Sequence, residues 1–330
     1  NKLATTADVV LSVGCRFTDW SASSYRKDVS FSFPPAKLIH IDIDHQEIGK
    51  NYPTEIGIVA DAKSVLTDML AAVSAEQSTS VLADRVSYFS DIAALKAEWE
   101  VMLAKRREST ATPFTSQRPL GVLRNVMDRD GIVVVGSGNT QGAVKQTFPV
   151  YMPRTHLTSG SFSSMGWAVP AAIGAKLAMP TRQVVCIVGD GDFMQSLQEM
   201  AVCVMHNIPV VFLVQNNSGY MSIRGGQRKI MGRHIGSEFN TPDGKPYSPD
   251  FTAIARNFGL EAWRVDQDAQ LTEALKSALA SKGPALVEVI TSRDAAGPYT
   301  PGWWDFPVPA YVQGEGHAEY AEGRALEQHM

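Results

Sequence analysis

The amino-acid sequence predicts an α/β protein built on doubly wound parallel sheets. Two observations carry this. Short runs rich in β-branched residues, such as IVVV at 132–135, VVCIV at 184–188 and VVFLV at 210–214, are apolar at every position, as strands covered on both faces are. Helix-length segments separate them, and Gly, Asp, Asn and Pro mark their ends, so the strands recur in parallel through crossover helices.

In chain order, VVLSVG (9–14), KLIHIDID (37–44) and IGIVAD (56–61) read as strands, and AKSVLTDMLAAVSA (62–75) as a helix. Three strands are too few for an independent doubly wound domain. Residues 1–75 are therefore expected to be the second half of a Rossmann-like domain whose first half lies upstream. Residues 76–118 read as a connection: polar EQSTS, a helix by period and charge over 84–108, then a loop. From 119 to 295 the alternation is continuous. Helices are expected over 119–130, 165–179, 193–207, 249–259 and 268–283, and strands over 132–135, 184–191, 209–217, 261–265 and 284–291. A long loop rich in Gly and basic residues fills 218–249, and the tail, 296–330, is rich in Pro, Gly and aromatic residues.

Bulk properties bound the function. The 330 residues suffice for about two domains. A net charge of -4, with 44% hydrophobic and 19% charged residues, describes a globular protein and gives no support for nucleic acid or an anionic membrane as partner. No apolar run reaches membrane-spanning length. Cys15, Cys186 and Cys203 are odd in number and match no metal spacing, which fits a reduced, cytoplasmic protein. The histidines do not cluster, so zinc is not expected.

In doubly wound sheets, ligands bind beyond the carboxyl ends of the strands. Two such ends stand out: Gly189-Asp190-Gly191 and, 24 residues later, Asn216-Asn217. Glycines admit a ligand to the main chain, and exposed N–H groups at a helix start suit phosphate. Asp190 and Asn217 offer hard oxygen donors, so the pattern reads as a Mg²⁺ bridged to a diphosphate. The plainer alternative is a strand-end Asp capping the next helix, with Asn217 in a turn. The glycines, the strand contexts and the second motif together favour the metal.

GDG-x24-NN resembles the cofactor motif of thiamine diphosphate (ThDP) enzymes. SGSFSSMGWAVPAAIGAKLA resembles the segment before GDG in their acetolactate synthase-like branch. ADVVLSVGCRF, LIHIDIDHQEIGKN and VADAKSVL are similar to the second half of that branch's central domain. The resemblance implies a ThDP-binding fold over 119–295 and part of a central, nucleotide-binding-like domain over 1–75. It implies Asp190, Asn217 and the main-chain oxygen of Gly219 as Mg²⁺ ligands. Gly189, Gly191 and Asp192 would hold the diphosphate, while Gly138, Asn139 and Thr140 would line the other side of the cofactor. Met165 would wedge beneath its rings, Ser163 would offer its carbonyl to the 4'-amino group, and Tyr220 and Met221 would touch cofactor or substrate.

No catalytic residue is assigned to this chain. The family's activating Glu belongs to a pyrimidine-binding domain of a second subunit, and Glu199 does not replace it. The chain alone is therefore expected to be inactive. The resemblance implies a homodimer or homotetramer acting on a 2-oxo acid or related carbonyl, as a carboligase or lyase. Glyoxylate carboligase, sulfoacetaldehyde acetyltransferase and cyclic-dione hydrolase types stay open, as does a non-catalytic nucleotide-binding or regulatory module. FAD also stays open: Gly14, Arg16, Asp42 and Asp44 fall in the resembling segments, but Arg16-Phe17-Thr18-Asp19 lacks the first acid of the family's run, and both aspartates also suit strand-end caps.

Other features weigh less. GSGNTQG, with Gly136, Gly138 and Gly142, lacks the acidic residue that NAD binding wants about 20 residues later. Arg224, Arg228 and His234 could meet an anionic substrate, but a solvated loop face is the better expectation for each. His206 ends a helix, which favours a structural role. His156 is left undecided. Trp303 and Trp304 in the tail suit packing or closure over the site.

Overall fold

The computed structural model describes residues 1–73, 85–160 and 162–294, with isolated positions at 318, 321, 322 and 325. The tail tryptophans Trp303 and Trp304 lie outside the described residues. The chain divides into two compact units, the first spanning Asn1–Glu100 and the second starting at Val101.

The first unit holds a three-stranded parallel sheet, β1 (Val9–Val13), β2 (Lys37–Asp42) and β3 (Ile56–Val59), in that order. Leu38 on one sheet face joins a cluster with Phe17, Phe33 and Tyr52. Its rings meet edge to face, Phe17 lying 5.4 Å from Tyr52. The Asp61 carboxylate accepts from Ser64 N–H at 3.1 Å and so starts the helix Ala62–Ala72. Asp42 and Asp44 each give one oxygen to the local backbone: Asp42 Oδ1 accepts from Asp44 N–H and Asp44 Oδ1 from Gln46 N–H, each at 2.9 Å. These are consecutive turns after β2.

The second unit is a six-stranded sheet in which every pairing is parallel. Its strands are β4 (Ile132–Val135), β5 (His156–Thr158), β6 (Val184–Gly189), β7 (Val211–Asn216), β8 (Glu261–Val265) and β9 (Ala285–Ile290). The spatial order is β5-β4-β6-β7-β9-β8. Successive residues point to opposite faces, and both faces are covered, which is why β4 is apolar throughout. Val133, Val135 and Ile187 pack with Leu120 and Leu271 on one side. Val134, Cys186 and Val188 pack with Ile173 and Phe251 on the other.

The winding reverses at the β4–β6 boundary. From β4 the chain moves outward to β5; from β6 it moves the other way to β7. Loops leaving β4 and β6 therefore diverge and open a crevice, the usual ligand position in such sheets.

Several local expectations change. Residues 193–207 are not one helix: Asp190–Phe193 and Met200–Met205 are separate short helices with the 3-10 turn Leu197–Glu199 between them. The presumed loop 218–249 contains the helix Met221–Met231, closed by Gly232 at φ 64°. A further helix, Asn139–Thr147, follows β4, and β5 is a strand that pattern reading leaves unassigned. At three residues β5 is too short to show a period. Among the described residues no helix is long and apolar enough to cross a membrane.

Candidate functional site

Four segments, those that follow β4, β5, β6 and β7, meet at the carboxyl ends of these strands. They enclose a cleft of about 280 Å³. The residues that the resemblance assigns to ThDP and Mg²⁺ all line it: Gly138, Asn139 and Thr140 from the β4 side; Ser163 and Met165 from the segment after β5; Gly189, Asp190, Gly191 and Asp192 after β6. Asn217, Gly219, Tyr220 and Met221 complete it after β7.

Asp190 is 1% exposed. Its Oδ2 accepts from Gly219 N–H at 3.0 Å and its Oδ1 from Asn217 N–H at 3.4 Å. Burial pushes its carboxyl up from 3.8 to about 6, and the backbone donors only partly offset this. One end of the Asn217 amide stands 3.3 Å from Asp190 Oδ1 and 3.1 Å from the Gly219 carbonyl oxygen. As an NH₂ that end donates to both oxygens; turned over, it places a third oxygen beside them. A carboxylate, an amide oxygen and a carbonyl oxygen thus converge, a hard-donor set that fits Mg²⁺ once phosphate oxygens or water fill the remaining positions. Among the described residues no group of three or more His, Cys, Asp and Glu could hold a metal, so a cation here would depend on such outside oxygens.

Asp192 plays a part that its place after the motif does not reveal. Its Oδ2 accepts from Ser137 N–H at 2.7 Å, after β4, and its Oδ1 from Gly166 N–H at 2.6 Å, next to Met165. One carboxylate ties three cleft loops together. Burial raises its pKa against the pull of these two donors. Gly136 must be glycine because a Cβ there would overlap Asp192 Oδ2. Gly191 likewise lies against the Tyr220 ring, which a Cβ would overlap, and Tyr220 is itself fixed edge-on to Phe239 at 4.8 Å.

The two asparagines after β7 differ. Asn216 is 2% exposed; its Nδ2 donates to Glu288 Oε1 at 2.6 Å, and its Oδ1 accepts from Ser218 N–H at 3.0 Å. It shapes the turn from below, while Asn217 faces the cleft. Ser218 sits at φ 55°, a left-handed conformation that costs a residue with a Cβ about 1–2 kcal/mol.

The basic loop residues are engaged with acids. Arg224 pairs with Glu238 at 2.5 Å and Asp294 at 2.9 Å, Arg228 with Asp294 at 3.6 Å, and His234 with Glu238 at 3.4 Å. Burial works against the Glu238 carboxylate, but the Asn240 hydrogen bond and the Arg224 and His234 charges hold it below the usual range. His206 closes the helix Met200–Met205. His156 is half-buried on β5, with its pKa lowered by burial and by Lys145, and is not among the cleft-lining residues.

Two residues of the site escape sequence reading. Glu288, fully buried on β9, holds Asn216 and meets Arg264 at 3.2 Å. Arg293, just past β9, reaches the main chain of the 217–218 turn. Neither lies in a recognisable pattern.

Comparisons with known proteins identify both domains. Residues 136–289 match the thiamine pyrophosphate enzyme C-terminal TPP binding domain, and residues 1–69 match the thiamine pyrophosphate enzyme central domain. A probable acetolactate synthase large subunit of Methanocaldococcus jannaschii is 34% identical over 304 residues, covering 91% of this chain and 49% of that protein. The acetolactate synthase isozyme 1 large subunit of Escherichia coli is 31% identical over 289 residues, 88% of this chain and 48% of that one. A 3D-(3,5/4)-trihydroxycyclohexane-1,2-dione hydrolase of Halalkalibacterium halodurans is 26% identical over 345 residues, 96% and 52%. The chain spans about half the length of these relatives. With both matched domains in consecutive order and the cofactor motif folded into one cleft, the chain belongs to the thiamine pyrophosphate enzymes, in their acetolactate synthase-like branch.

Proposed function

We propose that this chain is the C-terminal portion of a ThDP- and Mg²⁺-dependent carboligase or lyase acting on 2-oxo acids or related carbonyls. The observation that carries the proposal is the convergence of Asp190, Asn217 and the Gly219 carbonyl beside a cleft lined by both motif loops. Asp190, the turned Asn217 amide and the Gly219 oxygen would hold Mg²⁺. The main chain at Gly189, Gly191 and Asp192 would receive the diphosphate. Gly138, Asn139 and Thr140 would bound the cofactor on the β4 side, with Tyr220 and Met221 opposite.

Met165, 43% exposed in the cleft, has the size and apolar surface to support the cofactor's rings and exclude water. Ser163, at φ 51°, would turn its carbonyl to the 4'-amino group. Bound there, ThDP supplies a nucleophilic carbon for breaking and forming bonds beside a carbonyl. Residues 1–75 belong to the central domain, 76–118 connect, and 119–295 form the diphosphate-binding domain in this reading.

The activating carboxylate is proposed to come from the pyrimidine-binding domain of a second subunit, in a cytoplasmic homodimer or homotetramer. FAD stays open: Asp42 and Asp44 each give one oxygen to the following backbone and keep the other. Cyclic-dione hydrolysis is the second reading, favoured by the named activity of one relative.

Calorimetric titration of the intact protein with ThDP tests the binding claim. Tight binding in Mg²⁺ that disappears with chelator supports it; equal binding in both rejects it. Product analysis with a panel of 2-oxo acids and cyclic diones separates the two activities. The 330-residue chain alone is expected to show no turnover, and turnover without a partner would reject the shared site.

A further inference from the structure

We infer that Arg293 is a positioning residue that holds the turn carrying the proposed Mg²⁺ ligands in its strained shape. The inference rests on the metal–diphosphate reading and deepens it. All five N–H donors of this guanidinium are spent in one place. Nε donates to the Asn217 carbonyl at 3.0 Å. Nη2 donates to the Ser218 and Phe239 carbonyls, both at 2.8 Å. Nη1 reaches Asn240 Oδ1 at 2.9 Å and Glu238 Oε2 at 3.4 Å. The fork straps the turn after β7 to the 238–240 segment.

The two peptide groups flanking Ser218 are each gripped at both ends. In the first, Arg293 takes the Asn217 oxygen while Asn216 Oδ1 takes the Ser218 N–H. In the second, Arg293 takes the Ser218 oxygen while Asp190 Oδ2 takes the Gly219 N–H. Fixing both planes fixes the backbone angles of Ser218, the residue at φ 55°. That conformation aims the Asn217 side chain and the Gly219 carbonyl at the same point beside Asp190. Without the fork, Ser218 is free to relax to negative φ, and the two donors diverge. A lysine cannot replace it, because three donors on one nitrogen do not reach acceptors spread across two segments.

The test is metal titration of the intact protein at saturating ThDP, read by calorimetry, with Mg²⁺ and Ca²⁺ as probes. Arg293→Lys and Arg293→Ala are expected to weaken Mg²⁺ at least tenfold. They are also expected to narrow the preference for Mg²⁺ over Ca²⁺, since the larger ion tolerates a looser ligand set. A general loss of stability would not change that ratio. Ser218→Gly removes the Cβ that makes positive φ costly, so Ser218→Gly in the Arg293→Lys background is expected to recover part of the Mg²⁺ affinity. Unchanged Mg²⁺ affinity and an unchanged ion ratio in a folded Arg293→Lys protein would overturn the inference, as would a double variant no better than Arg293→Lys alone. Asp190→Ala separates the two levels. If it abolishes metal-dependent binding while Arg293→Lys leaves it intact, the positioning role fails alone; if it changes nothing, the metal reading fails first.

Discussion

Replacing Asp190 by Asn should move stability and cofactor binding in opposite directions. Asp190 is 1% exposed, and its carboxyl is pushed from 3.8 to about 6, chiefly by burial. That difference corresponds to about 3 kcal/mol against the ionised form in the metal-free protein. Asparagine removes the charge but turns an NH₂ toward one of the two N–H donors from Asn217 and Gly219, costing about 1–3 kcal/mol. The metal-free variant should therefore be as stable as the parent near pH 8, or more stable by up to about 2 kcal/mol. The pH dependence follows from the same numbers. Because the folded pKa lies above the unfolded one, this group stabilises the fold fully below about 3.8 and loses that contribution as pH rises through about 6. The variant should lack this slope. With ThDP and Mg²⁺ at a hundred times Kd, the parent gains about 2.7 kcal/mol and melts several degrees higher; Asp190→Asn should show no such rise. Thermal unfolding from pH 4 to 8, with and without ThDP and Mg²⁺, reads all of this. A variant that keeps the Mg²⁺-dependent rise in Tm would refute the reasoning.

Other substitutions test the scaffold. Asp192→Ala strands the N–H groups of Ser137 and Gly166, so about 1–3 kcal/mol should be lost for each and ThDP affinity should fall, as followed by urea unfolding and calorimetry. Gly191→Ala drives a methyl into the Tyr220 ring; a loss of about 1–3 kcal/mol is expected, relieved in the Gly191→Ala/Tyr220→Ala pair, and a fully stable single variant would contradict the packing. Glu288→Leu leaves the buried Asn216 amide without its acceptor, at about 1–3 kcal/mol. Glu288→Gln keeps an acceptor for that amide and should lose less than Glu288→Leu; equal losses in the two would argue against the hydrogen bond as the cause.

Most of the second unit could be read from the chain because its central strands are covered on both faces. Continuous apolar runs at β4, β6 and β7 are what such burial requires, and they locate the strand ends where GDG and Asn-Asn fall. Strand order was not readable: β9 inserts between β7 and β8, and no residue type announces that choice. The helix Met221–Met231 was hidden for a related reason. Its two glycines and its basic residues look like a loop, and its Arg224 and Gln227 side chains are held by residues 235–238 and 293.

By itself, then, the sequence determined the fold class, the cofactor motif and the donor types, because burial and ligand chemistry demand particular side chains. Only the tertiary structure decided that the Asp192 side chain joins three loops, that Asn216 supports where Asn217 faces the cleft, and that Arg293 grips the turn at 217–218. The physical reason is the partner in each case. These side chains bind main-chain N–H and C=O groups or a distant buried carboxylate. A backbone group is present at every position, so it leaves no mark in the sequence until the fold brings it within reach.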